Sequence, residues 1–371
     1  MTSHVHSRIW QDGTAIDIAL FRLVNQGIAT PTFALPGEVV SWLGALQAQD
    51  YSGALWSIGL RMASATERAV EQALAQRAIV RTWPMRGTLH IVAAQDVRWL
   101  LALLTPRMIA QTASRYRQLE LDEATFARSK EVFARALQGG KQLTREEMLQ
   151  FLEQANIATT GQRGYHILAR AAQDGLICFG APSGKQQTFA LLDEWVAPTP
   201  TLARDEALAE LTRRYFTSHG PATLQDLVRW AGVTVAEAKV GLAAATQSLI
   251  QTTIDGQSYW MADSPRVPSN GDTTVHLLPG FDEFILGYGD RSAMLDPAYA
   301  QRICPGGNGV FNPTLVIDGK VAGTWKRSFK KGAVLIELAP FRSLTPVENQ
   351  AISAAADRYG EFLGLPVMLL D

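Results

Sequence analysis

The sequence predicts an α+β chain, and three observations carry that reading. Apolar residues recur at helical spacing through most of the chain as far as Ala245. At three places this period gives way to a pair of extended arms around a turn, and from about Thr273 onward short strand patterns predominate. The order helix, helix, helix, hairpin is the winged-helix pattern, and three copies in one chain are hard to produce by chance.

The elements follow in order. Residues 1–15 are polar and read as a flexible tail. Ala15 to Gln26 reads as a first helix closed by Gly27, and Leu35-Pro36-Gly37-Glu38 as the start of a second whose face is Val39, Val40, Leu43 and Leu46. Ala54, Leu55, Ile58 and Met62 mark a third, and Glu67 to Gln76 a short fourth. Ile79 to Trp83 and Thr88 to Val92 flank a Pro84–Gly87 break, which is a hairpin. In the second unit Thr144-Arg145-Glu146-Glu147 is a capping box opening a helix to Gln154. Gly164 to Asp174 is another helix, and the arms 176–179 and 188–192 flank a turn at 182–185. In the third unit Leu208 to His219 is a helix, a second starts at Thr223, and a third runs from Val235 to Ala245. Arms 249–253 and 257–261 flank Asp255-Gly256. Pro198 to Thr201 reads as a linker. Strands are expected at 275–278, 311–317, 321–325 and 333–338, with a last helix from Pro346 to Phe362. The units are therefore drawn at 16–117, 118–198 and 199–265, with a β-rich module at 273–371. The hairpin starts near 79, 177 and 250 are unevenly spaced, so this is duplication with drift rather than a short-period solenoid.

Composition narrows the function classes. With 371 residues, 47% hydrophobic and 19% charged, the chain has the make-up of an ordinary globular protein of several domains. A formal net charge of -1 excludes a generally polycationic nucleic-acid binder, so a DNA surface requires local segregation of charge. Such segregation exists: nine arginines against three acids from Arg61 to Arg117, and five basic residues with no acid from Lys320 to Lys331. The two cysteines, Cys178 and Cys304, show no pairing or ligand spacing, which predicts a reducing cytoplasm. The six histidines form no metal-ligand cluster beyond His4 and His6 in the polar tail, so no metal is expected. No apolar run approaches the roughly 18 residues of a membrane span.

The candidate chemistry centres on Leu46-Gln47-Ala48-Gln49-Asp50, which falls between two apolar segments that both read as helices. On a helix, residues two apart point about 200° from each other, so the two amides converge only if the backbone turns there. Convergent amides can hold a water molecule or a base edge. They cannot act as a strong base, because an amide has no accessible basic pKa. Solvated side chains at a helix end are the competing reading.

Taken together, Gln47-Ala48-Gln49, Trp83 to His90, Leu277 to Asp282 with Gly287 to Arg291, and Asp318 to Trp325 resemble the AlkZ-like winged-helix DNA glycosylases, over nearly the whole chain from about residue 16. The resemblance implies three tandem winged-helix units in a C shape with a β-rich C-terminal part. It also implies excision of alkylated purines, including release of interstrand crosslinks. The catalytic motif of one branch is Gln-apolar-Gln and of the other Gln-apolar-Asp. Gln47 and Gln49 place the chain in the first branch as candidate catalytic residues, while Asp50 is one residue out of register.

The chemistry fits that assignment. Alkylation at N7 or N3 makes a purine cationic and hence a good leaving group. What remains is an oxocarbenium-like sugar and an attacking water, which a glutamine can orient. Cationic lesions should be cut and uracil should not. No lysine lies near the motif to form a Schiff base, so a monofunctional enzyme without lyase step or cofactor is expected. A crosslinked base cannot be flipped out, which calls for an open basic cleft. Arg81, Arg86, His90, Lys326 and Arg327 are candidate DNA contacts, with a packed structural histidine as the other reading of His90. Arg163, at the start of a helix, is a further phosphate candidate. Asp282 and Asp290 read as structural turn residues. The expected partner is double-stranded DNA carrying alkylated purines, bound by a monomer without membrane association. The alternatives are a non-catalytic winged-helix DNA-binding protein or regulator, and a protein-interaction scaffold.

Overall fold

In the computed structural model, which describes residues 17–184, 186–263 and 273–370, one order of elements recurs three times. The expected polar tail and His4 and His6 lie outside the described residues. In the first repeat, helix Pro36–Leu43 leads through a two-residue strand, Leu46–Gln47, to helices Tyr51–Gly59 and Glu67–Ala75 and strands Ile79–Met85 and Thr88–Ala93. The short strand pairs with the last one, Leu46 opposite Ile91 and Gln47 opposite His90, so the sheet runs first, third, second.

The second repeat has the same connectivity. Helix Glu123–Leu137, strand Leu143–Thr144, helices Arg145–Gln154 and Arg163–Gln173, and strands Ile177–Phe179 and Thr188–Leu191 again place the short strand beside the last. In the third, Arg204–His219, Leu224–Ala231 and Val235–Ala245 precede strands Leu249–Ile254 and Gln257–Ala262. A single bridge from Ala222 to Trp260 takes the place of the short strand. The sequence dictates the helix starts: Thr144, Thr223 and Thr234 each accept a backbone N–H three residues on, and Glu147, Asp226 and Glu237 reach back to the cap.

Two helices go beyond the sequence-based expectation: Val97–Gln118, which contains Pro106 and connects the first two repeats, and Glu123–Leu137, which follows it after Leu119 to Asp122 and opens the second. The C-terminal part is a five-stranded sheet in the order Val367–Leu370, Ala333–Pro340, Lys320–Lys330, Thr314–Ile317, Val275–Leu278. All its pairs are antiparallel except the first, an unforeseen parallel edge strand. Trp56 donates its indole N–H to the Leu277 carbonyl at 2.7 Å, tying this sheet to the first repeat, and within the sheet Trp325 donates to the Leu278 carbonyl at 2.8 Å. Phe362, from the closing helix Pro346–Leu363, lies against Gly59 so tightly that a Cβ there would fall 2.4 Å from its ring.

The buried residues form two clusters. The larger joins the first and third repeats to the C-terminal sheet. The smaller is built almost wholly from residues 116–189 and is bridged to the first repeat by Trp83, which packs on Phe179 and Phe189. The second repeat thus has its own core, while the first, third and C-terminal parts share one.

Two buried histidines make this shared core acid-sensitive. Burial pushes the pKa of His90 down to about 3, helped by the Arg86 charge. Burial, then the charges of Arg358 and Arg61, pushes that of His276 down to about 4. The unfolded chain binds these protons near the ordinary value of 6.5, and the folded chain only well below it. Stability is therefore lost as pH falls from about 6.5 toward the folded values. Each contributes about 2 kcal/mol of loss between pH 7 and pH 5. The Tm should fall over that interval, and His276→Gln should flatten the fall; an unchanged slope would refute the assignment.

Candidate active site

Gln47 lies between two helices as expected, Pro36–Leu43 and Tyr51–Gly59, and the connection is an extended segment. The strand pairing with Thr88–Ala93 continues through Ala48, whose N–H donates to the Leu89 carbonyl at 2.7 Å. Leu46 and Ala48 are buried, Gln47 is half-buried and Gln49 is exposed, the alternation of a strand. The strand ends at Gln47, and Gln49 lies two residues on, at the bend that leads into helix Tyr51–Gly59. Arg81 reinforces the segment from beneath: it is buried and donates through Nε and Nη2 to the Ala48 carbonyl at 3.2 and 2.8 Å. Asp50 caps the following helix by accepting from the Gly53 N–H at 3.1 Å and from Ser52 Oγ at 3.2 Å, which leaves it a structural task.

Around Gln47 three parts of the chain meet. Its backbone N–H donates to Glu283 Oε1 at 3.3 Å, while Glu283 Oε2 accepts from Trp230 Nε1 at 2.8 Å and lies 3.6 Å from His219 Nε2. The side-chain Oε1 of Gln47 accepts from Arg86 Nη2 at 3.2 Å, which fixes the amide's orientation, since a guanidinium can only donate. The amide keeps one carbonyl lone pair and both N–H donors for a ligand. Arg86 also donates to the Trp230 carbonyl and, at 3.2 Å, faces His90 Nε2. His90 Nδ1 lies 3.0 Å from the Thr88 carbonyl, so its proton sits on Nδ1 and Nε2 accepts from Arg86. With its pKa depressed, His90 is neutral at physiological pH. Burial pushes the Glu283 pKa up, but His219, Arg86 and His90 more than offset it and hold the carboxyl below its ordinary value.

The hairpin turn that delivers Arg86 is strained. Met85 pairs with Thr88, and Arg86 and Gly87 sit at φ of 54° and 70°, the left-handed pair of a two-residue turn. Arginine at the first position costs about 1 kcal/mol. Its guanidinium bonds to Gln47, His90 and Trp230 are what hold it there. Phe281, at φ 64° just before Asp282 and Glu283, is a second such position.

Gln47 opens onto a cavity of about 510 Å³, lined among others by Arg86, Thr88, Arg229, Arg291 and Phe311. Among the described residues that line it there is no aspartate, glutamate, histidine or lysine. Such a site can orient a water and stabilise charge by dipoles and guanidinium groups. It has no general acid of its own for a poor leaving group.

The sequence profile of the DNA glycosylase AlkZ-like family matches residues 40–362. The chain belongs to that family of DNA glycosylases. An interstrand DNA cross-link repair glycosylase of Streptomyces sahachiroi is 26% identical over 334 residues, covering 82% of this chain and 86% of the relative. The structure of the DNA glycosylase AlkZ of the same organism superposes with a TM-score of 0.78 at 23% identity, covering 95% of this chain and 98% of that one. At this identity the superposition establishes a shared fold. Family membership identifies the chain as a DNA N-glycosylase, a hydrolase of N-glycosyl bonds.

The residues expected to meet DNA separate into distinct settings. Arg86 lines the cavity. Arg81 is buried beneath the motif, with Nη1 on Gln187 Oε1 at 3.1 Å. His90 is 0% exposed and supports Arg86 rather than facing solvent. Arg163 does begin a helix, but it donates to the carbonyls of Ala158, in the loop before it, and of Leu119 and Glu120, which follow helix Val97–Gln118. Lys326 is exposed on a strand, with no partner among the described residues. Arg327 donates to Tyr359 Oη and Ser52 Oγ, which brings the C-terminal hairpin against the segment that follows Gln49. Asp282 and Asp290 accept backbone N–H groups, from Phe284 and Ser292, both at 2.9 Å. Sequence reading missed Glu283, Trp230, His219, Arg229 and Arg291. Their convergence is tertiary, and the one local signal was the Phe-Asp-Glu turn itself.

Proposed function

We propose that this chain is a monofunctional glycosylase that hydrolyses the N-glycosidic bond of cationic N-alkylated purines, N7-alkylguanine above all, in double-stranded DNA. The observation that carries the reading is the amide of Gln47, fixed by Arg86 and open to a cavity whose described lining residues supply no carboxylate, imidazole or amine. That inventory suits a base that is already a leaving group and needs only a positioned water and a stabilised oxocarbenium ion. Gln49, exposed at the bend two residues on, is the second amide. The described residues of the cavity lining include no lysine to form a Schiff base, which favours hydrolysis without a lyase step.

The three repeats are read as winged-helix units that enclose the duplex, with the C-terminal sheet completing the binding surface. The chain would act as a monomer in the cytoplasm. Both cysteines are free, and among the described residues no helix is long and apolar enough to cross a membrane. We extend the reading to interstrand crosslinks, because the Streptomyces relative is named for their repair and a lesion reached in place need not be flipped out.

The test is base release from duplexes carrying N7-methylguanine, a crosslink or uracil. Release from the first two and not from uracil is expected. Retained binding without release from any alkylated duplex would make the chain a non-catalytic DNA-binding protein. Two basic residues can be compared in the same assays. Lys326→Ala should lower the slope of log affinity against log salt by about 1 with Tm unchanged. Arg163→Ala should lower the Tm and leave that slope alone; the opposite pattern would exchange their roles.

A further inference from the structure

The cavity beside Gln47 holds two guanidinium groups that no part of the proposed chemistry uses. Arg229 lies in helix Leu224–Ala231 of the third repeat, and Arg291 follows the short helix Glu283–Leu286. Arg229 is exposed and has no hydrogen-bond or ion-pair partner among the described residues. Arg291 is anchored at one end only: Nε donates to the Ile285 carbonyl at 2.7 Å, and the guanidinium lies 5.1 Å from the centre of the Phe311 ring. Neither Nη group of Arg291 has a partner among the described residues.

Asp226 and Asp290 are close enough to favour the charge of Arg291, but neither makes an ion pair or hydrogen bond with Arg229 or Arg291 among the described residues. The nearest carboxylates are committed elsewhere. Asp226 accepts from the Thr223 N–H and Oγ1 at 2.9 Å each and from the Gly289 N–H at 2.7 Å, and Asp290 accepts from the Ser292 N–H. Burial and then the charge of Arg229 both disfavour the protonated form of Arg291, a repulsion that a bound anion would relieve. Arg86 completes the cationic lining, but its donors are already occupied by Gln47, His90 and Trp230.

We infer that Arg229 and Arg291 form a phosphodiester-binding site for the damaged strand, across the cavity from Gln47, and so hold the deoxyribose of the lesion over the amide. A planar guanidinium with both Nη groups free matches two phosphate oxygens, and two such groups on opposite elements fix a phosphate in orientation as well as in place. Neither residue touches the reacting bond; both are positioning residues. Placement of the sugar is where binding to a non-reacting part of the substrate becomes rate. The site also joins the third repeat to the loop that carries Glu283. A phosphate bound there is sensed by the same elements that hold the Gln47 backbone.

This inference rests on the glycosylase reading above, and its test separates the two. Duplexes with one N7-methylguanine and a single methylphosphonate at one of three linkages on either side are compared in single-turnover release and in binding. For the wild type, one or two adjacent linkages should each slow release about tenfold or more when neutralised. Arg229→Gln and Arg291→Gln should slow release from the all-phosphate duplex by a similar factor. The sensitive linkage should then cost them little further, because the contact is already gone. Arg291→Lys should recover part of the rate while Tm stays near wild type.

Variants that release as fast as the wild type, or that suffer the full additional methylphosphonate penalty, would overturn the inference. So would inhibition by inorganic phosphate with no linkage dependence, which would mark a site for the free ion. If the wild type released no alkylated base, the glycosylase reading would fall, and the same pattern of non-additive losses in binding alone would still decide the phosphate site.

Discussion

Gln47→Ala is expected to slow release of N7-methylguanine by about 10²-fold or more, with Tm shifted by no more than about 2 °C. The rate effect follows from what the amide offers. Its carbonyl is oriented by Arg86 and its two N–H donors face the cavity, so the alanine variant loses both the water's anchor and a dipole near the developing sugar cation. The stability effect is small because Gln47 is half-buried and the variant keeps its backbone N–H on Glu283. Gln47→Asn retains the amide but places it about 1 Å short, and should fall between the two. Gln49→Ala should lower the rate with no change in Tm, since Gln49 is exposed and has no partner among the described residues. The pH profile is a further check. His90 is already neutral, so release should show no ionisation of that ring between pH 6 and pH 8. A Gln47→Ala enzyme with wild-type rate would remove the two-amide mechanism altogether.

The elements that were legible in the sequence are those whose cause is local. The Thr144, Thr223 and Thr234 helix starts are announced by cap and acid three residues apart, and the hairpins by the break between two extended arms. What was not legible depends on partners far along the chain. A two-residue strand at Leu46–Gln47 has no period to detect, and exists because Thr88–Ala93 pairs with it. Helix Val97–Gln118 carries an internal proline, and its second half, with Arg107, Arg115 and Arg117, is too polar to show a continuous apolar stripe. That omission propagated to Arg163. A free cation at a helix start reads as a phosphate ligand, and the carbonyls that occupy it, those of Leu119 and Glu120, follow the missed helix. The candidate site divided in the same way. Gln47 and Gln49 stand out as a motif, whereas Glu283 reaches Gln47 across 236 positions and reads locally as one more residue in a turn.

Breaking the Arg61–Asp282 pair is expected to cost about 3–5 kcal/mol, read as a fall in Tm of roughly 10 °C. Arg61 is 0% exposed and all its donors are used. Its two Nη groups meet the Asp282 carboxylate at 2.9 Å each, Nη1 also meets the Ser57 carbonyl and hydroxyl, Nη2 meets Gln26 Oε1, and Nε meets the Gln26 carbonyl. Arg61→Met removes the cation and leaves a buried carboxylate whose remaining partners are the Ser57 hydroxyl and the Phe284 N–H. Asp282→Asn keeps the shape and leaves the guanidinium without a counter-charge. In each case the larger part of the loss is the stranded partner, not the attraction between the two. The double variant should therefore lose clearly less than the sum of the singles, and strict additivity would refute a direct pair.

The same pair explains which acid transition belongs to which group. Burial pushes the Asp282 pKa up, but the Arg61 charge and hydrogen bonds more than offset it and hold the carboxyl below its ordinary value. A depressed carboxylate gives stability that is complete above the unfolded value near 4 and is lost only as pH falls through the folded one. The fall in Tm between pH 7 and pH 5 is thus assigned to the buried histidines, His90 and His276 together with His219, whose pKa burial also lowers, and loss of the Arg61–Asp282 contribution should begin below that range. Because Asp282 precedes Glu283, whose carboxylate holds the Gln47 backbone, Arg61→Met should also reduce the release rate at temperatures where the chain is still folded. The Gln47 segment is then as firm as an ion pair buried away from the cavity.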